Sequence, residues 1–146
     1  MFHRAAYLRF AVVALLGAAA ACKKTPPPPP ADTAAAVPLS VTVVTLGKQI
    51  GADKSVAQPL ATFGPADTIY AAVATVGSAP SATLVATWTF QTGQVIRADS
   101  QVIAPTGPAI TEFHISRPSG WPVGAYKVSV TLNGALAGAK DFEVRR

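Results

Sequence analysis

The chain has 146 residues, 50% of them hydrophobic, with 12 basic against 7 acidic side chains, 13 prolines and one cysteine. That length holds one domain of ordinary size, and a single cysteine excludes an intramolecular disulfide. The formal charge of +5 is not gathered into a dense basic stripe with interleaved aromatics, so nucleic acid is not an expected partner.

Residues 1–21 have the three parts of a secretory signal. His3, Arg4 and Arg9 form a positive front, residues 10–16 an apolar core, and residues 17–21 a small-residue exit. The uncharged stretch 10–21 is 12 residues long. A membrane-spanning helix requires about 20 apolar residues, so cleavage is expected rather than a permanent span. Loss of Arg4 and Arg9 leaves ten basic side chains against seven acidic, a net of +3.

The signal ends in Ala19-Ala20-Ala21-Cys22, which resembles the lipobox of bacterial lipoproteins. The resemblance covers the first 22 residues. It implies that Cys22 is acylated and becomes the first residue of the mature protein. Each buried acyl methylene contributes about 0.8 kcal/mol, and two or more chains anchor stably. Lys23 follows the cysteine where an aspartate would favour inner-membrane retention, so the resemblance implies an outer-membrane location facing the periplasm. The alternative is an ordinary signal peptide cut nearby, leaving a free cysteine.

Residues 22–38 read as the lipidated cysteine and its tether. Five consecutive prolines, Pro26 to Pro30, have fixed φ and no amide donors, which favours an extended polyproline II rod. Fully extended at about 3.1 Å per residue, residues 23–38 would reach roughly 50 Å, an upper bound.

From residue 39 to 146 the pattern becomes short runs of Val, Ile, Thr and aromatic residues punctuated by Gly and Pro. Strands are expected at 39–46, 68–76, 82–91, 94–104, 110–116, 126–132 and 136–144. The irregular segment 47–67 has room for a short edge strand near Val56. Leu84, Ala86, Trp88 and Phe90 share one face of their strand, and Thr92-Gly93 offers a two-residue turn into the next. Tyr126, Val128, Val130 and Leu132 alternate with polar residues, and Asn133-Gly134 supplies the positive φ values of a type I′ hairpin. Phe142 and Val144 are expected to point inward. About seven strands at these spacings predict an all-β antiparallel sandwich.

Trp88 on the third expected strand, and Pro122-Val123-Gly124-Ala125-Tyr126 at the start of the penultimate one, resemble immunoglobulin and fibronectin type III domains. The first matches the central core tryptophan, the second the tyrosine corner. The inter-sheet cysteine pair is absent, so the resemblance is to the disulfide-free relatives.

No constellation for catalysis, cofactor or metal binding is present in the sequence. His114 is the one histidine after the leader and is expected to face solvent between inward Phe113 and Ile115. The carboxylates are scattered singly, apart from Asp141 and Glu143 on one strand, where paired-carboxylate hydrolysis needs two across a cleft. Ser119-Gly120 lies in a turn without the G-x-S-x-G setting of a hydrolase nucleophile. The candidate binding residues are Arg117 and Trp121, on a loop held by Pro118 and Pro122. The alternative for Trp121 is that it folds back to cap the core. The expected function is a membrane-anchored, non-catalytic binding or adaptor module with a protein or glycan partner. A structural subunit of an envelope complex and a small inhibitor of envelope enzymes are the alternatives.

Overall fold

The computed structural model describes residues 36–146; the expected leader, Cys22 and most of the tether lie outside them. The described chain forms eight strands and no helix: β1 (Ser40–Gly47), β2 (Thr62–Phe63), β3 (Ile69–Val76), β4 (Ala82–Phe90), β5 (Gln94–Ile103), β6 (Ala109–Ile115), β7 (Gly124–Leu132) and β8 (Ala135–Val144). They build a three-stranded sheet, β1-β3-β6, and a five-stranded sheet, β2-β8-β7-β4-β5. The all-β sandwich expected from the sequence is the one observed.

Period-two alternation selects what goes inside. Leu84, Ala86 and Trp88 of β4 are fully buried, as are Val128 and Val130 of β7 directly across the ladder. The opposing sheet contributes Ile69, Ala71, Val73, Phe113 and Ile115. Burying a side chain of this kind contributes about 1.5–3 kcal/mol relative to leaving it exposed, so the two inner faces hold the sheets together without a disulfide.

Three local features differ from the sequence reading. The eighth strand, β2, pairs parallel with β8 through Thr62↔Glu143 and Phe63↔Val144, so the sheet is not wholly antiparallel. Two residues between Pro59 and Pro65 carry no readable period. Near Val56 there is a single bridge to Ile50 rather than an edge strand. The β4–β5 connection has three residues, not two: Phe90 pairs with Gln94, which leaves Gln91, Thr92 and Gly93 in the loop. Gln91 there adopts φ 49° and donates its amide to Ala125 O at 2.8 Å. The β7–β8 turn is as expected, with Asn133 at φ 51° and Gly134 at φ 86°.

Apart from the two-residue β2, which runs parallel with β8, successive strands run up and down, which gives the sandwich two ends. The chain enters at one of them, where Ser78 N donates to Val37 O at 3.0 Å and Pro38 bridges Ser78. Gly77, at φ 96°, is required here, because a Cβ would collide with the carbonyls of Val37 and Pro38. The β3–β4, β5–β6 and β7–β8 connections share this entry end. The opposite, distal end carries segment 48–68, the 91–93 loop, segment 116–123 and the last residues.

Candidate functional site

Two clusters of polar side chains stand out, one at the distal end and one along the flank formed by β5 and β6.

At the distal end the loop 116–123 is fastened by its own residues. Arg117 Nε donates to Ser119 Oγ at 3.0 Å, and Tyr126 Oη donates to Pro122 O at 2.7 Å. The second bond is the tyrosine corner expected from the sequence. Burial pushes the Tyr126 phenol above its ordinary value, with the charge of Arg117 acting in the opposite direction. Trp121 is only 7% exposed. Its backbone amide donates to Pro65 O at 2.7 Å, its indole Nε1 donates to Asp67 O at 2.9 Å, and its ring packs edge-on against Tyr126. Trp121 is therefore a core cap and not a surface anchor, and of the two loop residues only Arg117 is presented to solvent.

Asp67 ties the neighbouring loop together. Its carboxylate accepts the Gly64 amide at 2.6 Å and pairs with Lys48 Nζ at 2.6 Å. Burial would raise its pKa, but the Lys48 hydrogen bond, the Gly64 amide and the Lys48 charge together hold it below the usual carboxylate value.

The second cluster was not singled out from the sequence. Ladder partners place Arg97 opposite Trp88, Asp99 opposite Ala86 and Gln101 opposite Leu84. These three polar residues thus occupy the inward-facing side of β5, where a closed sandwich would carry apolar groups. The facing edge is β6, and Gln101 Nε2 spans the gap to donate to Glu112 O at 2.6 Å. Arg97 Nε donates to Asp99 Oδ2 at 2.6 Å, an exposed pairing that raises the guanidinium pKa. His114 Nδ1 lies 3.0 Å from Glu112 Oε1, and its ring is tilted against Tyr70 with centroids 5.4 Å apart. Together with Lys54, these groups line an open cleft of about 330 Å³.

The cleft holds donors and acceptors of both signs beside the His114 imidazole, a composition suited to a polar ligand. Among the described residues, no hydroxyl or thiol bonds the His114 ring, and no group of three or more His, Cys, Asp or Glu is placed to hold a metal. His114 faces solvent as its strand position requires. Asp141 lies 3.4 Å from Lys127 on exposed strand surface, and half-buried Glu143 lies 2.6 Å from Arg145, just past the end of β8.

No protein-family model and no curated protein sequence matches the chain. Among solved structures, an immunoglobulin-like protein from Pseudomonas aeruginosa aligns over 76% of this chain and 99% of its own length, at 14% identity and TM-score 0.51. The fold is immunoglobulin-like. An alkylpurine DNA glycosylase from Pseudomonas fluorescens aligns over 74% of this chain at 16% identity and TM-score 0.49. A β-glucosidase from Listeria innocua aligns over 75% at 8% identity and TM-score 0.47. The chain spans 30% of the glycosylase and 16% of the glucosidase.

Proposed function

We propose that this chain is a lipid-anchored envelope protein whose immunoglobulin-like domain is a non-catalytic binding module. The lipobox-like Ala19-Ala20-Ala21-Cys22 supports the anchor, with Cys22 acylated and residues 23–38 as the spacer. The observation that carries the binding role is the open β5–β6 flank. It presents Arg97, Asp99, Gln101, Glu112 and His114 in one cleft, without a nucleophile and base held in contact. The ligand is a polar one, a glycan or an extended segment of another envelope protein. The anchor places the module at the outer membrane, facing the periplasm.

Both halves of this reading have a direct test. Mass spectrometry of the mature N-terminus should show acylated Cys22, and Cys22→Ser should leave the membrane fraction; an unmodified cysteine would sink the anchor. For the module, a photo-crosslinking residue at His114, in the cleft, should capture a consistent envelope protein or glycan, and Arg97→Glu should abolish the capture. Capture that is absent, or indifferent to Arg97→Glu, removes the cleft from consideration.

A further inference from the structure

Formal charge is distributed very unevenly over the sandwich. Segments 36–47, 68–96, 100–111 and 128–139 contain no Asp, Glu, Lys or Arg. Parts of all four segments meet at the entry end, which is built from the start of β1, the β3–β4 connection, the end of β5, the start of β6 and the β7–β8 hairpin, while 68–96 also runs along β4 to the distal 91–93 loop. Every formal charge of the described residues lies in the middle or distal part.

Six large aliphatic side chains are exposed among the described residues: Val37, Val102 and Leu136 lie at the uncharged end, Val43 lies midway along β1, and Val95 and Val123 lie toward the distal end. Leu136 is 71% exposed and Val102 is 72% exposed, on the outer face of the five-stranded sheet. Val85 lies between them on that face, joined to Leu136 through Thr131. Val37 adds exposed aliphatic surface just before β1. Soluble domains ordinarily spread charge over all sides, and a charge-free end bearing exposed aliphatics marks an interaction surface.

We infer that this end is a bilayer-facing surface, on which the domain rests against the membrane that its own anchor holds. The inference rests on the anchored reading above for its biological setting. Three observations select a lipid surface over a second copy or another protein. The chain enters the domain at this end, through Val37 and Pro38, so this end has the shortest path to an anchor at Cys22. Apolar side chains that enter the headgroup and acyl boundary contribute through the area they bury, and no charge at this end has to be desolvated with them. The contact need not be strong, since a short tether supplies an effective concentration on the order of millimolar. Arg117 on the distal loop is left facing away from the lipid, with the β5–β6 cleft on the flank between.

The test makes the tethering independent of native lipidation. Chain 22–146 with Cys22→Ser and an N-terminal hexahistidine is held on neutral phosphatidylcholine vesicles containing nickel-chelating lipid. A fluorophore is placed at Ala135→Cys, beside Leu136, or at Thr92→Cys on the distal loop. Headgroup-nitroxide lipid should quench the label at 135 and leave the label at 92 bright, and high salt should not change this because no ion pairs are involved. Adding Leu136→Asp should abolish the quenching at 135. Equal quenching at both sites, quenching at 92 alone, or none would overturn the inference. A concentration-dependent change at 135 without vesicles would also overturn it, by assigning the surface to a second copy. Failure of the anchor is read separately, from the N-terminal mass of the protein taken from the envelope.

Discussion

The two flanks of the sandwich solve the same problem in opposite ways. On the β2–β8 flank, Phe63, Phe142 and Tyr126 stack in sequence, with Phe63 edge-on to Phe142 and Phe142 stacked on Tyr126 at 5.2 Å. Trp121 closes that stack from the distal end, and β2 adds a parallel pair that ties loop 48–68 to the last strand. On the β5–β6 flank the gap between sheets is spanned by one side-chain bond, from Gln101 to the carbonyl of Glu112. Stability is concentrated on the closed flank, and surface available for recognition is concentrated on the open one. A domain built this way can vary its cleft without disturbing its core.

That contrast is strongest at Trp121. Trp121→Ala should destabilise by about 3–5 kcal/mol, the cost of emptying a large aromatic site, read as a lower urea midpoint with unchanged slope. A loss below that range would mean that the distal cap is dispensable and the flank less closed than it looks. Tyr126→Phe probes the same flank with a smaller change. It keeps the ring stack and removes the bond to Pro122 O, so it should cost about 1 kcal/mol. Gln101→Ala, on the open flank, should change stability by less than about 0.5 kcal/mol, since its partner carbonyl can turn to water. A cost equal to that of Tyr126→Phe would show that the open flank is braced after all.

Much of the closed flank was legible because its signals are local. Trp88 sits in a clean alternation, the Pro122-Val123-Gly124-Ala125-Tyr126 stretch announces the corner, and Asn133-Gly134 permits few alternatives to a tight hairpin. Trp121 was ambiguous for the opposite reason. Its sequence neighbourhood is a proline-flanked loop, and what buries it is Asp67 O, 54 positions away. The cleft was hidden by a question of face. Arg97, Asp99 and Gln101 visibly alternate in β5, but whether that face looks inward depends on the register against Trp88 and Leu84. That register is set across the sheet and shifted by a bulge between Trp88 and Thr89. β2 was unreadable because two residues are too few to show a period.

The two tryptophans, the only ones in the chain, differ in one respect that an optical experiment can use. Trp88 is wholly enclosed and its indole Nε1 has no hydrogen-bond partner, whereas the Trp121 indole is bonded to a carbonyl at the distal end. An excited indole with nothing to donate to emits further to the blue than one that is bonded. The native emission is therefore a sum of a bluer contribution from the centre of the sandwich and a redder one from its distal cap. Loosening of the cap alone would shift the redder component first, so local opening of the 116–123 loop can be followed separately from global unfolding without any label.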